Sequence, residues 1–180
     1  ALASPRLSAE TLHAFKQIFK DHLAAQTVTT TDECAATANL VKTAAALGRA
    51  FEGKLDDLHT ADCFLLLDED IVADHEVAGF FIKRSLPLGA NLVLVSEGAH
   101  PLDLNADANL KFKKGTLAAV IQGLRAALAQ NQAGVSDAAA KTGIAADAFL
   151  QAAQKLSEAE KPVIVFGKNL VSQGEAQVQA

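Results

Sequence analysis

The stretch FLLLDEDIVADHEVAGF, Phe64 to Phe80, decides how this chain is read. Phe64-Leu65-Leu66-Leu67 is a short, wholly apolar run, which predicts a strand buried on both faces. Three acids, Asp68, Glu69 and Asp70, follow at once, and then an amphipathic helix over 76–86 with Val77, Phe80 and Phe81 on one face. In an open α/β sheet, ligands bind in the crevice beyond the carboxyl ends of the strands. Nucleotides and most cofactors are anionic, and a carboxylate cluster repels them.

Outward from this stretch the same pattern repeats. Asn91 to Val95 (NLVLV) and Pro162 to Phe166 (PVIVF) read as buried strands, and Asn109 to Phe112 as a shorter one. Pro87-Leu88-Gly89 punctuates the helix before NLVLV. The segment 96–107 reads as a loop, and Gly115-Thr116 opens a helix to Ala129. Asn131 to Gly134 reads as a loop, followed by short helices over 137–141 and 145–156. Upstream, Ser8 to Leu23 is a strong helix with capping chemistry at Ser8, Glu10 and Thr11 and a stripe of Leu12, Phe15, Phe19 and Leu23. Val28 to Thr31 is a short β-branched run. Glu33 to Leu47 is Ala-rich and helical, ending at Gly48, and 53–60 is a connector. Strands alternating with helices imply right-handed crossovers. The expectation is an α/β, Rossmann-like three-layer sandwich with a mainly parallel sheet, one domain over 1–180 with a polar tail at 172–180.

Composition narrows the function classes. The chain has 180 residues, half of them hydrophobic, and a formal net charge of −5. That is ordinary for one globular domain. No Lys/Arg stripe points to nucleic acid. No apolar run is long enough for direct membrane insertion, and no secretory signal pattern is present. The two cysteines, Cys34 and Cys63, lack metal-ligand spacing and read as reduced core thiols of a cytoplasmic protein. The absence of Met fits a piece cut from a longer chain.

Each reactive-looking group has a plain reading beside the sharp one. Asp68, Glu69 and Asp70 could chelate a hard cation, but their spacing matches no EF-hand loop; a solvated strand end with Asp74 capping the next helix is the plainer reading. His75 as a cofactor ligand or acid/base group competes with hydrogen bonding at a helix start. Lys113-Lys114-Gly115-Thr116 at a helix start lacks the P-loop pattern and reads as a strand-to-helix turn. His100-Pro101 reads as loop chemistry. No nucleophile–base set assembles, so no catalytic residue and no metal ligand is assigned.

Four blocks in order resemble the molybdopterin oxidoreductase family, the bis-pterin molybdenum and tungsten enzymes. They are SPRLSAETLHAFKQIFKDHL (Ser4 to Leu23), LDDLHTADCFLLLDEDIVADHEVAGFFIKRSLPLGANLVLV (Leu55 to Val95), ADANLKFKKGTLAAVIQGL (Ala106 to Leu124) and TGIAADAFLQAAQKLSEAEKPVIVFGKNL (Thr142 to Leu170). In order, they are spread along the chain from Ser4 to Leu170. The resemblance implies a middle domain excised from a longer protein, with the family's iron–sulfur motif upstream and its second pterin-holding domain downstream.

The departures carry as much meaning. Where the family places Gly, so that backbone can approach a pterin dinucleotide pyrophosphate, this chain has Asp68. The next positions become Glu69-Asp70-Ile71. His75 is kept, but the Pro after it is Glu76. The family's Asp-Pro-Arg after the second strand is Ser96-Glu97-Gly98. Gly115 and Thr116 are kept, flanked by Lys114 and Leu117. The resemblance thus makes Asp68, Asp70, His75, Ser96, Gly115 and Thr116 vestigial cofactor positions. It is strongest to the large iron–sulfur subunit of NADH:quinone oxidoreductase, whose molybdopterin-like part serves as a scaffold. That implies no cofactor in this domain and iron–sulfur clusters elsewhere in the longer protein. Partners would be the remaining domains and other subunits of a redox complex, held at the inner face of the membrane through those subunits. The alternative is a pterin-binding domain of an active molybdenum or tungsten oxidoreductase such as formate dehydrogenase. A third reading, an unrelated Rossmann-like module, notes that KLSEAEKPVIVFGKNL (Lys155 to Leu170) also resembles the opening of the central domain of thiamine-diphosphate enzymes.

Overall fold

The computed structural model describes residues 1–4, 7–31, 41, 42, 44–46, 48, 53–167 and 170. The chain divides into two compact units, residues 1–49 and 50–180.

In the first unit, β1 (Leu2–Ala3) pairs in parallel with β2 (Thr29–Thr30). Between them runs α1 (Ala9–Lys16), capped by Ser8, whose side chain accepts from the Thr11 amide. The helix continues as a π-helical segment, Gln17–His22. That wider winding shifts the phase of the stripe. Leu12, Phe15 and Phe19 are half-buried and the Phe15 and Phe19 rings lie 4.5 Å apart, but Leu23 is exposed. Most of the helix expected over 33–47, with Cys34, lies outside the described residues; 41, 42 and 44–46 are helical, and Gly48 has φ +67°.

The second unit holds the main sheet. Its elements are α2 (Asp57–Thr60), β3 (Cys63–Leu67), α3 (Ile71–Asp74), α4 (Glu76–Ser85), β4 (Asn91–Ser96), β5 (Ala108–Lys111), α5 (Leu117–Leu128), α6 (Gln132–Thr142), α7 (Ala146–Ser157) and β6 (Pro162–Phe166). The four strands are all parallel, in the order β5-β4-β3-β6. Alternate residues of the apolar runs face opposite sides. Cys63, Leu65, Leu67, Val93, Val95 and Leu110 pack against Leu117, Val120, Leu124 and Phe149 of α5 and α7. Phe64, Leu66, Leu92 and Leu94 pack against Leu58, Ile71 and Ile82 of α2, α3 and α4. Helices on both faces make the three-layer α/β sandwich that the patterning predicts.

Four local expectations are corrected. The segment 131–134 is not a loop: Asn131 caps α6, its Oδ1 accepting from the Gly134 amide at 3.2 Å, and α6 runs unbroken through 137–141. The inward face of α4 is Gly79 and Ile82 with half-buried Ala78 and Phe81, whereas Val77 and Phe80 are 60% and 56% exposed. A Cβ on Gly79 would lie 2.8 Å from the Ile71 carbonyl oxygen, so close approach of α3 turns that face inward. β6 is terminal in the strand order among the described residues, so PVIVF is only partly buried and Ile164 is 58% exposed. Finally, His75 rather than Asp74 stands at the N-cap of α4 and makes no side-chain cap, while Asp74 ends a further short helix, α3, which Asp70 caps, its Oδ1 accepting from the Ala73 amide at 3.2 Å.

Two Ala-Asp pairs pin the strand starts. Asp62 precedes β3 and accepts from the amides of Glu160 and Lys161, at the entry to β6, at 2.7 and 3.0 Å. Those amides hold its carboxyl below the usual carboxylate range. Asp107 precedes β5 and accepts from the Leu92 amide in β4 at 2.8 Å.

Candidate functional site

β3 is followed in sequence by β4 and β5 on one side, and β6 lies on its other side. The strand order therefore reverses between β3 and β6, which makes their carboxyl ends the switch-point crevice of this sheet. The residues there are Asp68 and Glu69 beyond β3 and Gly167 beyond β6.

Asp68 adopts φ +50°, in the left-handed region that favours glycine. Its amide donates to the Val95 carbonyl at 2.8 Å. Burial, and the nearby Glu97 charge, push its carboxyl pKa up, while a hydrogen bond from the Glu97 amide opposes the rise. Asp70 turns away to cap α3. The three carboxylates therefore diverge, and a shared cation finds no cage among them. Among the described residues no three His, Cys, Asp or Glu side chains form a metal-holding group.

Glu69 overturns the reading of a solvated acidic strand end: it is 3% exposed. Its side chain lies against Gly167, where an added Cβ would stand 1.7 Å from Oε2 and 2.0 Å from Cδ. Oε1 is 3.7 Å from Nε2 of His75, an exposed ring. His75 thus makes no side-chain cap for α4, contrary to the expected helix-start role, and faces Glu69 instead. The Glu69 carbonyl is held by His100. Nδ1 of His100 accepts from the Leu102 amide at 3.1 Å, which leaves the proton on Nε2 to be donated to the Glu69 oxygen at 3.2 Å. His100 is therefore more than loop chemistry.

Ser96 is buried at the end of β4. Its hydroxyl donates to the Gly98 carbonyl at 3.2 Å and accepts from Lys111 Nζ at 2.8 Å. Lys111 also donates to the Gly98 carbonyl at 2.5 Å and pairs with Asp103. That hydrogen bond, with the His100 amide, holds the Asp103 carboxyl down at about 2. Gly115, at φ +82°, and Thr116 form a turn in which the Thr116 hydroxyl donates to the Lys113 carbonyl at 2.7 Å, and it makes no side-chain cap for α5. All six positions singled out in the sequence lie on the carboxyl side of the sheet. Lys111, Asp103 and Gly167 were not weighed at all, and Glu69 and His100 were weighed only as part of an acidic cluster and as loop chemistry. The one available signal was an acid three residues after His100, the spacing at which a carboxylate reaches back to an amide: Asp103 Oδ2 accepts from the His100 amide at 2.9 Å.

Cys63 is a core thiol as expected: it is fully buried, and burial pushes its pKa up to about 11. No helix of the described residues is long and apolar enough to cross a membrane.

No family model matches the chain, and neither does any curated protein sequence. Among solved structures, acetylene hydratase from Pelobacter acetylenicus, a molybdopterin/tungsten enzyme, aligns over 90% of this chain with a TM-score of 0.55 and 14% identity. The likeness is one of fold. The chain spans 29% of that protein's length. The molybdopterin-oxidoreductase-like fold implied by the four sequence blocks is therefore present, as a likeness of fold alone.

Proposed function

We propose that this chain is a molybdopterin-oxidoreductase-like scaffold domain that holds no pterin and belongs to the large iron–sulfur subunit of an NADH:quinone oxidoreductase. The observation that carries the reading is the buried Glu69 carboxylate, seated over Gly167 where the sheet would otherwise receive a ligand. A pyrophosphate does not fit these residues. Its space is taken by a side chain, Asp68 brings a Cβ to the position of closest backbone approach, and like charges repel. Two unit charges about 4 Å apart repel by about 4 kcal/mol at an effective dielectric near 20. On this reading the domain performs no chemistry of its own. Its partners are the other domains and subunits of a redox complex at the cytoplasmic face of a membrane, and the iron–sulfur clusters lie outside it.

A second reading has its own support. The structural neighbour is acetylene hydratase, and His75, Gly115 and Thr116 are shared with the pterin-binding pattern. On that reading the domain serves an active molybdenum or tungsten enzyme with altered contacts. Elemental analysis of the protein as isolated from its source, with its copurifying subunits, separates the two. Iron without molybdenum or tungsten is the expected result. Stoichiometric molybdenum or tungsten sinks the scaffold reading, and the absence of all three removes the redox assignment.

A further inference from the structure

We infer that Glu69 is an internal ligand: the chain's own carboxylate fills the switch-point crevice, and removing it opens a site for a free small carboxylate. The inference rests on the scaffold reading and adds the class of ligand that the space takes once Glu69 is removed.

Position, burial and fit agree. Glu69 is the second residue beyond β3, at the point where the strand order reverses. The left-handed Asp68 precedes it, and the His100 ring fixes its carbonyl from the loop after β4. Its carboxyl group is withdrawn from solvent, and the hypothetical Gly167 Cβ falls within 2.5 Å of Cδ and both oxygens. Real Cβ contacts are never that short, so a side chain at 167 and the carboxylate of 69 exclude each other. Glycine at 167 thus leaves room for the occupant, which a side chain there would have to displace, and its φ lies outside the left-handed region. The exposed His75 ring lies on the open side, its Nε2 3.7 Å from Oε1, close to the carboxylate but beyond hydrogen-bond distance.

Glu69→Ala deletes Cγ and the carboxyl group, which together have the shape and charge of acetate. The test is thermal unfolding of Glu69→Ala in the full chain, in sodium acetate against sodium chloride at equal ionic strength, with wild type in parallel. Acetate should raise the Tm of the variant saturably, by about 3 °C at about 0.2 M, and leave wild type at its chloride value. If the variant does not fold in chloride, refolded yield is the readout, and acetate should restore it. No acetate-specific gain in either readout overturns the inference. A second arm measures Gly167→Ala in both backgrounds. It should be strongly destabilising with Glu69 present and nearly silent with Ala at 69; an equal cost in both also overturns the inference. Both arms are blind to metal content, so the internal ligand and the scaffold reading fail separately.

Discussion

Asp68 brings together two costs that the sequence shows only as one odd letter. An L-residue at φ +50° carries backbone strain that glycine would not, and Asp is among the few side chains that tolerate it. Its carboxyl is also harder to ionise in the folded chain, chiefly through burial. A raised acid pKa contributes stability that is fully present below the ordinary value of 3.8 and is lost as pH rises through the folded value. Asp68→Asn keeps an acceptor for the Glu97 amide and tolerates the same φ, but carries no charge. The variant should therefore be more stable than wild type at pH 7, by urea midpoint at unchanged m-value. The gain should shrink as pH falls toward 3.8. A constant difference across that range would mean the buried charge is not the cause. The family pattern has glycine here, but that glycine was read as room for a ligand rather than as a left-handed position, so the strain itself was not read from the sequence. Nor was the burial of Glu69, because it depends on Gly167, far along the chain.

The elements show where patterning reaches and where it stops. β3 and β4 were legible because strands buried on both faces leave an unbroken apolar run. PVIVF has the same composition, yet β6 is terminal in the strand order of the described residues; no local window distinguishes the two cases, since the neighbour is chosen by topology. The α4 stripe was phased on its largest side chains, whereas packing follows Gly79, which lets α3 come close. The start of α6 was taken for a loop because Asn and Gly supply both turns and N-caps. The α5–α6–α7 layer offers a clean test of such packing. Gly123 lies mid-helix in α5, where Ala is favoured by about 1 kcal/mol on propensity alone. An added Cβ, however, would lie 2.6 Å from the Ala138 Cβ of α6 and 2.7 Å from Cε1 of Phe149 in α7. Overpacking of a tight core costs about 1–3 kcal/mol, so the clash outweighs the propensity. Gly123→Ala should destabilise by about 1–2 kcal/mol in chemical denaturation. Stabilisation would show that the three helices separate at little cost.

At the scale of the whole molecule, burial is distributed unequally between the two units. Both hydrophobic clusters draw all their buried members from Leu58 to Leu170, on the two faces of one four-stranded sheet. Among the described residues of the first unit only Ala3 is buried. Asp62 and Asp107 tie the strand starts within the second unit, and its long apolar strands are sandwiched by its own helices. A chain of residues 53–180 should therefore fold alone, with a single cooperative melt. Cys63 supplies an internal reporter. Its thiol is wholly buried at the start of β3, and burial raises its pKa to about 11, so it is both inaccessible and protonated at pH 8. With Cys34 absent from this shorter chain, an aromatic disulfide reagent reads Cys63 alone. In the native state it should react only through global opening, slower than in denaturant by the folding equilibrium constant, and the reaction should accelerate with urea along the unfolding curve. Rapid labelling in the absence of urea would mean that β3 is exposed without the first 52 residues, and that the core of the sheet depends on the first unit after all.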